Sequence, residues 1–457
     1  MSNPTVFSNA RSFTTHGWLI CVWILITPFQ YGYHISALNQ IQAVLTCRSE
    51  ANPTLMLSML PACIPMSELT FSVITAIFTI GGLAGSLLAN LVMDRWGRKG
   101  ATTISALLTS VGTGLMGIST SVGVLGFGRF VIGLGSGVGI CLAPVFLSEI
   151  APSSISGNVG ILTQLGIVLG IMLTQVMGLQ FATPTEWRAV LFLSFALSAV
   201  QALLGSIASE SPVWLGNNGQ HDKKKEVHNK LWLAETSTSS DSDPLLDELE
   251  ARREDAQIVA ITVPKLFLAR ELRKPLVIVC LAMASQQFSG INAVLYYSNA
   301  ILSKALPDLG PYVSLGITVV NVLMTFPPIV LIERVGRRRL LAVSSMGALI
   351  SLSAVGFGLD TGRVTLSSFA ILTFVMSFAV GLGPIPFVMI PEAVSSLSAV
   401  ALSLNWIINF AVGLVFLPLR RILSGGDVSK EGRVFYVFGV VLFVLIFILS
   451  RMYKGRS

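Results

Sequence analysis

Six carboxamide side chains stand near the middle of strongly apolar stretches: Gln164, Gln286, Gln287, Asn292, Asn321 and Asn409. A carboxamide offers N–H donors and a carbonyl acceptor without net charge. Gathered in one place, such groups can replace the water around a neutral polyhydroxylated solute, whose hydroxyls also donate and accept. Amides are costly inside an apolar bundle unless partnered, so their repetition at mid-depth in several segments is informative. Any one of them serves equally well as a hydrogen bond between helices. The set reads as a binding site.

The aromatic residues Phe288, Tyr296, Tyr297 and Trp406 fall in the same segments, and Phe387 in a further apolar one. A ring offers a flat apolar surface to the C–H faces of such a solute, although packing is the plainer reading of each ring taken alone. His34 and Arg129 are the ionisable groups clearly inside apolar stretches. An ionic solute would lack a counter-charge there, and a neutral one fits best. No metal-ligand cluster, nucleophile motif or phosphate-binding loop stands out; Gly133 to Gly139 mimics such a loop but lies within an apolar stretch. Neither an enzyme nor a cofactor is implied.

Elements long enough to hold these groups at depth follow from composition. The chain has 457 residues, 53% hydrophobic and 12% charged, with a mean hydropathy of +0.75, which excludes a soluble globular protein. A membrane-crossing helix needs about 20 apolar residues. Twelve stretches qualify: 18–38, 68–93, 101–120, 124–147, 158–181, 188–208, 275–301, 311–332, 340–359, 364–389, 399–419 and 433–450. The first lacks a small-residue cleavage site and reads as a retained helix. An all-α polytopic membrane protein is expected.

Two near-copies of one motif, Asp94-Arg95-Trp96-Gly97-Arg98-Lys99 and Glu333-Arg334-Val335-Gly336-Arg337-Arg338, lie 239 residues apart, each after an apolar stretch. Gly permits a sharp turn, the acid can accept from helix N-terminal amides, and the cations stay in water. One copy implies only a solvated turn. Two, at equivalent places, imply pseudo-symmetric repeats. Three regions are expected: a six-helix bundle over 1–208, a linker over 209–274 and a second bundle over 275–457. The linker carries ten cations and twelve acids, with a flexible run at Thr236 to Asp241. Surface helices are expected at 223–233 and 245–259, a wholly solvated linker being the alternative.

With the N-terminus inside, 21 of the 30 Lys and Arg residues gather on the inner side, so both termini are expected to be cytoplasmic. The net charge of +7 reflects this bias, and no basic cluster with interleaved aromatics suggests nucleic acid. The lipid bilayer is the partner that composition demands. Cys47 and Cys63, 16 residues apart in the first outer loop, are candidates for a disulfide in an oxidising compartment, as at a plasma or vacuolar membrane. Cys21, Cys141 and Cys280 fall within helices as small hydrophobes. Ser289-Gly290 and Gly381 to Pro386 should interrupt helices where a path opens and closes. Gly81, Gly82, Gly85 and the Gly133 to Gly139 series suit close helix packing.

Several strings together carry a resemblance: Gly128-Arg129-Phe130, Ser148-Glu149-Ile150-Ala151-Pro152, Gln164-Leu165-Gly166-Ile167, Ser209-Glu210-Ser211-Pro212, Gln286 to Tyr297, Gly381 to Phe387 followed by Pro391-Glu392, and Asn405-Trp406-Ile407-Ile408-Asn409. The chain resembles the sugar porter family of the major facilitator superfamily, and facilitative hexose transporters within it. The resemblance implies 12 transmembrane helices in two six-helix bundles. It implies alternating access for a small neutral sugar, a hexose first, by facilitated diffusion. The sugar is expected at Gln164, Gln286, Gln287, Asn292, Asn321, Phe387, Trp406 and Asn409. Asp94, Arg95, Arg98, Glu149, Glu210, Glu333, Arg334, Arg337 and Glu392 are expected to form a cytoplasmic gate.

The chain also departs from that pattern. Phe387 stands where hexose transporters usually carry Trp, and Ala379 where they carry Glu, which puts glucose preference in question. His34 replaces the Asp of proton-coupled relatives and the Asn of facilitators. Its ordinary pKa of about 6.5 makes a proton-coupled sugar or polyol symporter, with protons as a second partner, the main alternative. A nearby Arg129 cation weakens that case; Arg129 is expected either to snorkel outward or to pair near His34. A non-transporting sugar sensor is the second alternative, and would be expected to carry a cytoplasmic signalling extension. Ser156, Ala399 and Val213 replace arginines of the inner gate, so a thinner inner network and a bias away from the outward-open state are expected.

Overall fold

The computed structural model describes residues 13–48, 56–57, 60–151, 159–233, 270–292, 294, 310–389, 395–425, 427 and 430–453. The first half comprises α1 (Thr15–Leu45), a two-residue antiparallel ladder of β1 (Met56–Leu57) and β2 (Leu60–Pro61), α2 (Glu68–Gly117), α3 (Val122–Ile150), α4 (Val159–Phe181) and α5 (Trp187–Leu204). Short helices α6 (Pro212–Asn217) and α7 (His221–Leu231) follow. The second half comprises α8 (Arg270–Phe288), α9 (Gly310–Met324), α10 (Pro327–Val335), α11 (Arg337–Asp360), α12 (Val364–Ser377), a π-turn at Phe378–Leu382, α13 (Pro384–Met389), α14 (Ser395–Ser424) and α15 (Arg433–Met452). Several starts are set by hydroxyl caps, with Thr14, Ser67, Ser121 and Ser211 each accepting from an amide three residues on.

Of the twelve predicted stretches, eleven fall largely on these helices; 275–301 starts on α8, and its last residues lie outside the described ones. α2 holds two of them, broken at Gly97 with φ +74°. Along its first part, Gly81 and Gly85 meet Phe130 and Leu134 of α3 in ascending order. Along its second, Ser105 bonds Gly135 while Gly112 packs on Gly128, in descending order. The two parts of α2 therefore run in opposite directions, and Gly97 is the hairpin. Gly336, φ +85°, makes the matching break between α10 and α11. The predicted stretch 311–332 is divided by a turn before Pro327, and 364–389 by the π-turn.

Polarity is arranged for lipid. Leu87, Leu203, Val343, Ile350 and Phe369 are exposed, whereas the amides and many Ser and Thr residues are buried. The halves meet where α2 packs on α14, and α4 on α9 and α13. Glycines make close approach possible: a Cβ on Gly137 would lie 2.1 Å from the Gly82 carbonyl oxygen, and one on Gly81 2.3 Å from that of Phe130.

Among the described residues the small ladder and one isolated bridge are the departures from helix, and the ladder's loop is held from several sides. Cys47 and Cys63 are bonded, with Cα atoms 5.3 Å apart. Trp187 Nε1 donates to Ala62 O (2.6 Å), and Arg188 donates to the carbonyls of Pro61, Gly117 and Ser119. At the other end of the bundle, the helix expected at 223–233 runs over α7 and stops where Trp232 turns extended. Trp232 bridges Phe13 and donates to Ile150 O, tying the linker to α1 and α3. The helix expected at 245–259 lies outside the described residues.

Candidate functional site

Between the halves, six segments line a cavity of about 60 Å³. Tyr31 and Ile35 come from α1, and Gln164, Ile167, Val168 and Ile171 from α4. The second half contributes Gln286, Gln287, Ile291, Asn292, Asn321, Phe378, Phe387 and Asn405. Gly290, φ +78°, breaks the chain just past α8 and lets Ile291 and Asn292 turn to the same cavity.

The amides of the second half bond one another. Gln287 Nε2 donates to Asn405 Oδ1 (3.0 Å), and Asn405 Nδ2 to Gln286 Oε1 (3.0 Å). Gln286 Nε2 donates to Gly383 O at 2.8 Å, anchoring the network to the turn before α13. Asn292 Nδ2 reaches both Gln287 Oε1 (2.7 Å) and Asn409 Oδ1 (3.0 Å). Gln164, from the other half, takes no part. Asn321 Oδ1, also buried, has no hydrogen-bond partner among the described residues. A buried acceptor without a donor is costly, and a solute hydroxyl would satisfy it.

Of the residues expected to contact solute, Gln164, Gln286, Gln287, Asn292, Asn321 and Phe387 line the cavity. Trp406 and Asn409 do not. Trp406 packs edge-on to Tyr31 and Phe78 and covers Gly82, and Asn409 stands behind Asn292. Phe288 is outside the lining, and Tyr296 and Tyr297 lie outside the described residues. Sequence reasoning missed Asn405, although it sits four residues from Asn409 and so on the same helical face. It also missed Tyr31 and Phe378, which carry no signal beyond being aromatic.

His34 is fully buried within the first half. Gln30 Nε2 donates to Ser194 O, which leaves Gln30 Oε1 to accept from the Ser194 hydroxyl at 2.6 Å. Ser194 Oγ then accepts from His34 Nε2 at 2.8 Å, placing the imidazole proton on that nitrogen. Arg129 does not snorkel: it is 1% exposed, with its guanidinium 4.5 Å from the Phe78 ring centroid. Gly128 packs on α2, and the Arg129 guanidinium beside it lies over the Phe78 ring. The Arg129 cation lies near enough to act on His34 through space, while the imidazole bonds Ser194.

Around the Gly97 turn, Arg98 grips Glu149 through Nε (2.9 Å) and Nη2 (2.8 Å), the two side chains being 13% and 12% exposed. The acid that takes up the helix amides is Glu210, not Asp94: its Oε1 accepts from the backbone N–H groups of Arg98 (2.8 Å), Lys99 (3.1 Å) and Ser211 (2.8 Å). Burial raises the Glu210 carboxyl above its ordinary range, against the pull of those N–H groups and Arg98. Asp94 accepts from Trp214 through its carbonyl, and Arg95 lies over the Trp96 ring. Among the described residues, these contacts stay within the first half. Arg334 is exposed, and Arg337 opens α11. The side chain of Glu333 and all of Glu392 lie outside the described residues, as does Ser156.

A family profile described as "Sugar (and other) transporter" matches residues 20–456. The chain belongs to this family. Named relatives align over nearly its full length. The facilitated glucose transporter member 3 of Ovis aries is 34% identical over 94% of this chain and 89% of its own. A Saccharomyces cerevisiae protein named "Probable metabolite transport protein" is 31% identical over 93% and 89%. Among solved structures, the proton:xylose symporter XylE bound to 6-bromo-6-deoxy-D-glucose superposes with a TM-score of 0.78 at 18% identity, covering 95% of this chain and 96% of the other. The partially occluded inward-open form of XylE from E. coli gives 0.73 at 19%, covering 97% and 100%. This sugar porter thus has the major facilitator fold, with its amide-lined cavity between the two halves.

Proposed function

We propose that this sugar porter carries a neutral sugar, a hexose first, across its membrane by alternating access and facilitated diffusion. The observation that carries this reading is an uncharged cavity between the halves, rich in carboxamides, with the buried Asn321 Oδ1 lacking a donor among the described residues. Hydroxyl groups can supply that donor and exchange bonds with the neighbouring amides, while Tyr31, Phe378 and Phe387 pack on C–H faces. Named relatives that transport glucose support the choice of hexose. Ligand pockets are typically about 300 Å³ or more, so a cavity of about 60 Å³ must widen to admit a sugar. α13 and the segment beyond α8 are the parts able to yield.

The regions 1–208, 209–274 and 275–457 act as two bundles and a linker, and the face bearing Gly97, Gly336 and the linker helices is the cytoplasmic one. Arg98, Glu149 and Glu210 hold that face of the first half together. The disulfide loop faces the opposite compartment, at a plasma or vacuolar membrane. His34 is hydrogen-bonded inside the first half and does not line the cavity, which supports uniport over proton coupling. Uptake of radiolabelled glucose, fructose, xylose and inositol into proteoliposomes, with and without a pH gradient, tests the reading. Saturable uptake of a sugar that ignores the gradient is expected; uptake of none of the four would refute it.

A further inference from the structure

We infer that Ser344 of α11, a residue remote from the cavity lining, is a positioning residue that holds one wall of the sugar site through the π-turn. In a regular α-helix, Leu382 N–H would bond the Phe378 carbonyl. Here Gly383 N takes that carbonyl, at 2.9 Å, across five residues. Leu382 N, paired in the π-turn with the Ser377 carbonyl, also donates to Ser344 Oγ (2.8 Å), and the Ser344 hydroxyl donates to Ser377 O (2.6 Å). The hydroxyl thus stands within the backbone ladder, joining a donor and an acceptor five residues apart. A side chain inserted into the ladder is a recognised cause of a helix irregularity.

Close approach makes this possible: a Cβ on Gly381 would lie 2.6 Å from Ser344 Cβ, and one on Gly347 2.5 Å from Ser377 Oγ. Leu382 is 0% and Ser344 2% exposed, so bulk water does not reach the bonded atoms. The turn so held presents two parts of the site, since Phe378 lines the cavity and Gly383 O receives Gln286 Nε2. Without the hydroxyl, Leu382 N–H is left with only the Ser377 carbonyl five residues back, and α register, in which it would bond Phe378 O, competes. That register rotates Gly383 O and α13, which bears Phe387, relative to Gln286.

The inference rests on the sugar-carrier reading, and its test has one arm that does not. Full-length chain carrying Ser344→Ala, Ser344→Cys or Leu382→Pro, and the Ser344→Ala/Leu382→Pro pair, is reconstituted. Sugar half-saturation and maximal rate per inserted molecule are measured, together with backbone amide exchange over 377–389. Loss of one hydrogen bond from a buried N–H shifts an equilibrium by roughly two- to tenfold. Ser344→Ala should raise half-saturation about tenfold, leave the maximal rate within about twofold, and speed exchange over 377–389 about tenfold while exchange over 98–117 is unchanged. Ser344→Cys conserves size but bonds weakly, so it should behave as Ala does; behaviour like the parent would mean packing alone and overturn the proposal. Leu382→Pro removes the N–H that the hydroxyl serves, and in that background Ser344→Ala should add nothing. Unchanged exchange in Ser344→Ala overturns the proposal whatever the solute, as does a loss of maximal rate with half-saturation unmoved. No uptake by the unsubstituted chain would instead sink the carrier reading and leave exchange to decide the role of Ser344.

Discussion

Gly82→Ala should cripple closure of the two halves while leaving each half folded. A Cβ at this position would lie 2.4, 2.5 and 2.6 Å from three ring atoms of Trp406, where carbon atoms normally rest about 3.5–4.0 Å apart. The indole must therefore retreat by about 1 Å. It has nowhere to go: Trp406 is 2% exposed, and its ring is wedged between Tyr31 at 5.5 Å and Phe78 at 5.6 Å. Phe78 is itself fixed beneath Arg129. Overpacking of this kind costs about 1–3 kcal/mol, roughly 5- to 150-fold in an equilibrium. Gly82 belongs to α2 and Trp406 to α14, so the penalty falls on the contact between halves rather than on either core. At matched insertion into proteoliposomes, initial sugar uptake should fall about tenfold, with the melting temperature moving by only a few degrees. Trp406→Leu removes the clash partner, so the double variant should be no slower than Trp406→Leu alone. Parental uptake by Gly82→Ala, or an undiminished Gly82→Ala effect in the Trp406→Leu background, would refute the reasoning.

Three further outcomes are expected. The Arg98–Glu149 pair is nearly buried, and a double-mutant cycle to Ala on thermal stability should give a coupling of about 1–3 kcal/mol, well above an exposed ion pair; additive single effects would contradict it. Because burial raises the Glu210 carboxyl above its ordinary 4.5, the folded chain binds that proton before the unfolded chain does as pH falls. Relative stability is therefore gained downward through the raised value and is complete below about 4.5. Glu210→Gln should flatten this part of the pH–Tm curve, and an unaltered slope would count against it. His34→Asn should leave the pH dependence of uptake flat, as in the parent; a gradient-driven component lost in the variant would restore proton coupling.

Legibility in the sequence followed the range of the interaction. The Gly97 and Gly336 turns were readable because a hairpin between apolar stretches is written in six adjacent residues. The spans were readable because lipid demands long apolar runs. The acid that caps the Gly97 turn was not: Glu210 reaches Arg98 N across 112 residues, and Asp94 was the local candidate. Asn405 was likewise hidden, since its place in the amide network depends on Gln286 and Gln287, more than a hundred residues away. The stretch Gly381 to Pro386 signalled an irregular helix, but a serine on α11 sets its register. Arg129 could point either way from a helix end, and the aromatic face of Phe78, on a neighbouring helix, settles which.

The amide network also bears on where sugar affinity resides. Gln286, Gln287, Asn292 and Asn405 already bond one another and Gly383 O, so a sugar that engages them trades one neutral hydrogen bond for another. The net gain from such an exchange is small. Asn321 Oδ1 has nothing to give up, since it lacks a donor among the described residues. Its bond to a sugar hydroxyl is therefore nearly all gain, about 1 kcal/mol or somewhat more. Asn321→Ala should raise half-saturation about fivefold or more, at little change in maximal rate. Asn409 is as deeply buried and as polar, yet it acts only through Asn292. Asn409→Ala should leave Asn292 bonded to Gln287 and shift half-saturation by less than about threefold. The reverse order, measured side by side in proteoliposomes, would mean that the sugar's chief polar contact lies with the bonded amides and not with the open one.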